Sequence, residues 1–402
     1  MKLSYFNFKN FKDKMLLTND FGRYLFVSKE DFQGILSLKI EKNSDIYRKL
    51  IDAKMIYDES DLEYSSMNKY LLREIKGHVN TATSLHIFVV TTRCNMGCVY
   101  CQANNGSDMP HLVMDKKMAE KAVDIALQSP EQSLCFEFQG GEPLINFDII
   151  KHIVEYTELH KRDHIISYTV VTNLTLLNDE ILDFLACHNF GISTSIDGNE
   201  LVHNRNRPYI DGRGTYEKVV ESVGRIRASG LHVGAIETTT RYSLDYPKEI
   251  VNAYVDMGFD SIFIRPLTPL GKAAKYWNEI GYTSEEFIEF YRRSLDELLV
   301  INKNGRFIKE DHAAILLSRI RGDFMNYMEL RSPCGAGVGQ LAYYADGNIF
   351  TCDEGRMLHE MGQSTFKLGN VYKSTYRDLI NNSICKTVCS ASVLESLPTC
   401  CD

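Results

Sequence analysis

The sequence predicts an α/β protein: a partial barrel or open sheet of parallel strands, preceded by a small N-terminal module and followed by a cysteine-containing C-terminal region. Three observations predict it. Residues from about 84 to 305 alternate strand-like and helix-like runs through six units, the rhythm of parallel strands joined by right-handed crossovers. No cysteine precedes Cys94, three crowd into Cys94–Cys101, and six fall from Cys334 onward. After about 306 the periodicity fades into glycines, cysteines and short apolar runs. The boundaries expected are therefore 1–80, 81–305 and 306–402.

The N-terminal stretch opens with a β-hairpin pattern. Met15–Thr18 and Arg23–Val27 flank Asn19-Asp20-Phe21-Gly22, which has turn chemistry. Ser28 with Asp31 three residues on resembles a capping box and starts a helix; a second helix is expected over Asp45–Ala53. Strands followed by short helices suggest a winged-helix-like module. It is either a structural cap or a peptide-docking module with an exposed strand edge.

In the middle, strands are expected at 85–90, 134–138, 165–171, 191–196, 231–236 and 261–264. Helices are expected at 114–128, 148–160, 179–188, 216–228, 246–257 and 284–301. Six strands are too few to close an eight-stranded barrel. In either a partial barrel or an open sheet, ligands sit at the carboxyl ends of the strands. Cys94, Gly140-Gly141-Glu142-Pro143, Asn173, Asp197, Glu237 and Arg265 fall there, one after each strand.

Composition narrows the class. With 44% hydrophobic and 24% charged residues, the 402-residue chain can bury a sizeable core. Its net charge of −8 argues against a generic nucleic-acid binder. No apolar run is long enough to span a bilayer, and the N-terminus lacks a secretory h-region, so a cytoplasmic protein is expected. Eleven cysteines in a reducing compartment point to metal or redox chemistry more than to disulfides.

Cys94-Asn95-Met96-Gly97-Cys98-Val99-Tyr100-Cys101 is the strongest signal. Three thiolates in one short loop suit a soft metal ion or an iron–sulfur cluster. Gly97 is expected to let the loop bend. A tetrahedral zinc site would need a fourth ligand, for which His111 is a weak candidate. Three ligands to a four-iron cluster leave one iron open.

This C-x3-C-x2-C spacing, with an aromatic before the last cysteine, resembles the signature of radical S-adenosylmethionine (SAM) enzymes. The resemblance implies that Cys94, Cys98 and Cys101 hold a [4Fe–4S] cluster whose open iron is chelated by SAM. It also implies reductive cleavage of SAM to a 5′-deoxyadenosyl radical that abstracts a substrate hydrogen. Gly140-Gly141-Glu142-Pro143 is similar to the GGEP motif that meets the methionine amino group. There the glycines would allow close backbone approach and the carboxylate would suit an ammonium. Tyr100, Asn173, Ser195 and Asp197 take the positions of further SAM-binding residues. Ser193, Ser195 and Asp197 equally suit small residues filling a narrow barrel. Arg207 would pair with the SAM carboxylate or with substrate, or be a solvated loop charge.

Cys334 and Cys352, flanking a hairpin expected at Asp346-Gly347, together with Leu368-Gly369-Asn370, resemble the start of a SPASM domain. That domain carries auxiliary iron–sulfur clusters. Cys400 would be its next ligand, but the usual cysteine knuckle does not follow, so the region looks incomplete. Cys385 and Cys389 are spaced as helix neighbours and read as structural. Residues 16–26, 265–271 and 395–398 resemble the His-Xaa-Ser system maturases more narrowly.

The function expected is maturation of a ribosomally made precursor peptide. An external electron donor of flavodoxin or ferredoxin type would serve it, with a second maturase as a further partner. Alternatives are maturation of a folded protein, as by sulfatase-maturating enzymes, or a non-enzymatic metal-binding protein.

Overall fold

The structure, a computed structural model, describes residues 1–19, 21–57, 70–71, 77, 81–103, 111–321 and 334–390. It divides into two compact units, each with its own apolar core.

The first unit comprises Met1–Thr81, Ile315–Gly335 and Thr387–Asp402. Strands β1 (Lys2–Leu3), β2 (Asn7–Phe11), β3 (Lys14–Thr18), β4 (Tyr24–Ser28) and β5 (Ile56–Tyr57) form two antiparallel sheets, β2-β3-β4 and β1-β5. The β3–β4 hairpin is the one read from the sequence. Asn19 closes its turn, accepting on Oδ1 from the amides of Phe21 and Arg23. Ser28 caps helix Lys29–Leu36 and Ser44 caps helix Asp45–Asp52. β2 has no strand signature because Phe8 and Phe11 stand three apart, not two. Met15, Leu17 and Val27 from one sheet face pack with Phe32, Ile35, Leu50 and Met55.

The second unit comprises Ala82–Ala314 and Ala336–Lys386. Six strands, β6 (Leu85–Thr91), β7 (Ser133–Gly140), β8 (Ile165–Val171), β9 (Gly191–Ser195), β10 (Val233–Thr238) and β11 (Ser261–Arg265), lie parallel in sequence order. Helices Lys116–Ala126, Phe147–His160, Asp179–Cys187, Tyr216–Ala228, Pro247–Asp256 and Ser284–Lys303 alternate with or follow them. This is the expected partial (β/α)6 barrel. Alternation sorts each strand. On β7, Leu134, Phe136 and Phe138 are buried in the main core, while Cys135, Glu137 and Gln139 stand half-buried on the other face. On β9, Ile192 and Thr194 are buried, and Ser193 and Ser195 share the opposite face.

Four strands extend this sheet: β12 (Lys309–Glu310) beside β11, then β13 (Gln340–Tyr343), β14 (Asn348–Phe350) and β15 (Lys367–Asn370) beyond β6. β13 runs parallel to β6, and β13–β14 is the expected hairpin, turning at Gly347 with φ +85°. Ile87 and Val89 of β6 pack with Ala342, Tyr344 and Phe350. The SPASM-like region thus continues the barrel sheet through main-chain pairing, which no residue pattern announces. No helix among the described residues is long and apolar enough to cross a membrane.

Candidate active site

The loop carrying Cys94, Cys98 and Cys101 leaves the end of β6 and is held from three sides. The Gly97 amide donates to the Pro208 carbonyl at 2.8 Å and the Val99 amide to Asn206 at 2.9 Å. The Lys272 amide donates to the Cys101 carbonyl at 2.9 Å. From the end of β8, Asn173 donates its side-chain amide to Asn95 Oδ1 at 3.0 Å and stands 4.0 Å from Cys94 Sγ. Asn95 in turn reaches Thr175 Oγ1 at 2.8 Å. Burial pushes the Cys94 thiol up to about 12 and Cys101 to about 11, and raises Cys98. Arg207 and Lys272 oppose the rise at Cys98 and Cys101. These thiols ionise readily only against a bound soft cation, which is what a cluster provides.

Gly140 and Gly141 turn out to serve the chain's own backbone. A Cβ on Gly140 would lie 2.5 Å from the Thr91 carbonyl oxygen, and one on Gly141 only 2.4 Å from that of Arg93. The Gly141 and Glu142 amides bond these same carbonyls at 2.9 and 2.8 Å, clamping the turn to the residues just before Cys94. Gly97 has no such need. It does not adopt a left-handed conformation, and an added Cβ would meet nothing nearer than 3.6 Å. Gly141→Ala is therefore expected to cost about 1–3 kcal/mol by overpacking. Gly97→Ala should change stability by less than about 1 kcal/mol. Urea denaturation of the two variants checks the contrast.

Glu142 is fully buried, and burial raises its carboxyl pKa. Oε1 accepts from the Leu144 amide at 3.0 Å and Thr172 Oγ1 at 2.7 Å, and Oε2 from the Asn173 amide at 2.7 Å. It ties the ends of β7 and β8 together, with Pro143 opening the short 3-10 turn that it caps. Oε2 retains capacity for a further donor.

Tyr100, Asp197 and Arg207 form one buried group. The Tyr100 hydroxyl sits 2.9 and 2.8 Å from the two Asp197 oxygens, and Arg207 Nη1 donates to it at 2.7 Å. Burial pushes Asp197 up to about 6, against the opposing pull of Arg207. Arg207 is buried, so the solvated-loop reading of it does not hold. Its Nε has no partner in this enclosure. Sequence reasoning missed His203, whose Nδ1 faces the Asp197 amide at 3.4 Å and whose Nε2 meets Thr215 Oγ1 at 3.1 Å. The signal was present: His203 and Arg207 are four apart at one helix end. Burial holds His203 neutral, at about 3. Glu237 shares its strand face with Val233 and Ala235, which belong to the main core, not with the interior-facing positions. Ser195 lies on the interior face of β9 beside Ser193, at the strand end that leads to Asp197.

The later cysteines are dispersed in role. Cys352 is the N-cap of helix Asp353–Glu360, its sulfur accepting from the Gly355 amide at 3.3 Å. Cys385 is buried beneath Gly337, donating to its carbonyl at 3.5 Å. Cys334 is exposed, Cys389 half-buried, and Cys400 lies outside the described residues.

Among the described residues, no three His, Cys, Asp or Glu side chains converge on a single metal ion. A multi-iron cluster gives each thiolate its own metal atom and needs no such convergence. Three cysteines on one braced loop fit that group, and the partnerless Arg207 Nε fits a nearby anion.

Residues 88–244 match the Radical SAM superfamily. Over 186 residues the chain is 33% identical to an uncharacterized protein of Methanocaldococcus jannaschii, covering 46% of this chain and 63% of that protein. It is 22% identical to a cysteine-type anaerobic sulfatase-maturating enzyme of Clostridium novyi, covering 77% of this chain and 82% of the relative. The crystal structure of Streptococcus suis SuiB bound to precursor peptide SuiA shares the fold at TM-score 0.56 and 16% identity, covering 97% and 90%.

Proposed function

We propose that this chain, which carries a radical SAM catalytic domain over residues 88–244 and a SPASM-like C-terminal extension, is a maturase acting on a peptide or protein. The observation that carries the reading is the braced Cys94–Cys98–Cys101 loop next to the buried Tyr100–Asp197–Arg207 group. In this reading the three cysteines hold a [4Fe–4S] cluster. When bound, cluster and SAM supply reductive carbon–sulfur cleavage and hydrogen-atom abstraction. Glu142 Oε2 offers its remaining lone pair to the methionine ammonium. Arg207 Nε offers its proton to a carboxylate, while Asn173 and Ser195 line the same strand ends. Tyr100 and Asp197 hold Arg207 in place.

The substrate follows from two supports. The N-terminal unit presents Phe11, Tyr24 and Phe26, each 44–47% exposed, on the open face of its three-stranded sheet. Phe11 lies on β2 and Tyr24 and Phe26 on β4, the two edge strands of that sheet, and an extended precursor peptide adds as a further strand to such an edge. The similarity to a sulfatase-maturating enzyme over three-quarters of the chain supports a second reading, maturation of a sulfatase-type protein. The His-Xaa-Ser resemblance stands as the narrower form of the first. Cys334, Cys352 and Cys400 are the candidate ligands of an auxiliary cluster.

The test is anaerobic reconstitution with SAM, dithionite and either a precursor peptide encoded nearby or a sulfatase-derived peptide. Reductant-dependent 5′-deoxyadenosine with a mass change on one peptide supports the reading and selects the substrate. Protein that binds only zinc, or forms no 5′-deoxyadenosine, overturns it.

A further inference from the structure

Leu174 stands just past the end of β8 with φ +61°, in the left-handed region that favours glycine. Among the described residues, the other non-glycine positions with a positive φ are exposed or half-buried, whereas Leu174 is fully buried in the main core. This backbone costs a leucine free energy that a glycine escapes. It persists only where the surroundings over-determine it, and such positions cluster at functional sites. Here the Leu174 amide donates to Thr172 Oγ1 at 3.0 Å. Its carbonyl accepts at 3.0 Å from Ser222 Oγ, on helix Tyr216–Ala228. One residue earlier, the Asn173 amide is held by Glu142 Oε2 at 2.7 Å.

The turn brings Asn173 and Thr175 onto one partner in the cysteine loop. Asn173 Oδ1 accepts from the Thr175 amide at 2.9 Å and from its hydroxyl at 2.7 Å. Thr175 Oγ1 accepts from Asn95 Nδ2 at 2.8 Å, and Asn173 Nδ2 donates to Asn95 Oδ1 at 3.0 Å. These bonds close a ring of three side chains, and the ring fixes which way the Asn173 amide faces. A backbone N–H can only donate, so the oxygen must meet Thr175 and the NH2 must point to the cysteine loop. Asn95 takes one of its two protons. The other is left for Cys94 Sγ, 4.0 Å away. Hydrogen bonds to the sulfurs of an iron–sulfur group stabilise its more negative, reduced form and so raise its potential. Resting on the reading of the cysteine loop as an iron–sulfur site, we propose that the left-handed turn at Leu174 is a positioning device: it aims the Asn173 amide at Cys94, which holds that sulfur in place and raises the reduction potential of the site. Asn173 and Leu174 are positioning residues, and Asn95 and Thr175 keep the amide oriented.

The test has two arms, both on the full chain. Leu174→Gly and Leu174→Ala each delete the side chain, so the difference between them reports the backbone. At an ordinary position alanine is the more stable. Here the glycine variant should show the smaller unfolding constant in urea, by about fivefold or more. In reconstituted holoenzyme, Asn173→Ser keeps a hydroxyl for the Thr175 amide but is too short to reach Cys94. Redox titration followed by electron paramagnetic resonance should show its couple more negative. The expected shift is about tenfold in the reduced-to-oxidised ratio at a fixed poise, or about 59 mV for one electron. Thr175→Val opens the ring but leaves the Asn173 amide in place, and should shift the couple less. Leu174→Gly, which keeps the turn, should hold the wild-type value. An unchanged potential in Asn173→Ser overturns the proposal, as does an alanine variant at 174 at least as stable as the glycine one. If wild type assembles no iron–sulfur cluster, the underlying reading fails separately, and alkylation of the metal-free chain still decides the positioning role. Cys94 labelling relative to Cys98, read by mass spectrometry, should then rise several-fold in Asn173→Ser, and equal labelling overturns it.

Discussion

Alanine at any one of Cys94, Cys98 and Cys101 is expected to strip reconstituted protein of the iron held by that loop, about four atoms per chain. Reductive SAM cleavage should fall with it by at least about a thousandfold, on the order of 4 kcal/mol of barrier. Cys135→Ala should do neither. The contrast is one of placement. The loop cysteines are fixed by bonds from Pro208, Asn206, Lys272 and Asn173, so no neighbouring sulfur can move into a vacated position. Cys135 lies along β7, 3.7 Å from Thr169 Oγ1, away from the loop. Because burial holds the metal-free thiols protonated, cluster assembly must release protons, and iron uptake should rise with pH between about 6 and 9. Iron analysis and electron paramagnetic resonance of the dithionite-reduced variants check both points. Retention of the full wild-type iron content and an undiminished wild-type signal in any single loop variant would remove the cysteine trio from the reading.

The six parallel strands and their helices were legible because each is either an alternating pattern or a short apolar run of strand length, followed by a helical pattern. Phe136 and Phe138 alternate with Glu137 and Gln139 along β7, and Ser28 with Asp31 announces the start of helix Lys29–Leu36. The cysteine loop was legible for a different reason: chemistry fixes its spacing. What remained hidden depends on contacts distant in sequence. β13 joins β6 across some 250 residues, and only main-chain pairing records it. The glycine pair after β7 lies against the carbonyls of Thr91 and Arg93, neighbours almost fifty residues back that the tetrapeptide itself does not name. Glu237 sits one position off the interior face, a shift that reverses its direction and that a strand boundary uncertain by one residue does not reveal. The burial of Arg207 comes from Tyr100, 107 positions away. The cation and its aromatic partner were both singled out; their meeting was not.

That meeting makes the Asp197 environment the second place where a large effect is expected. Arg207→Met should cost on the order of 3 kcal/mol at pH 8 and much less at pH 5. Asp197 ionises near 6 in the folded chain against an ordinary 3.8, because burial outweighs the help of Arg207. The folded state therefore holds more protons than the unfolded chain between these values. Stability falls as pH rises through that window, and the whole penalty is in place above it. Without the guanidinium the Asp197 carboxyl rises further, so the window stretches upward and the variant keeps losing stability where wild type has levelled off. At pH 5, where most folded molecules already carry a neutral Asp197, the two proteins differ mainly by the packing of the arginine stem. Tyr100→Phe should reproduce part of the effect, since it removes the hydroxyl that links the two charges. Urea midpoints at pH 5, 6, 7 and 8 for wild type and both variants measure this. A loss in Arg207→Met that is the same at every pH would mean that the side chain acts by filling space, and the buried carboxylate would then be stabilised by some other group.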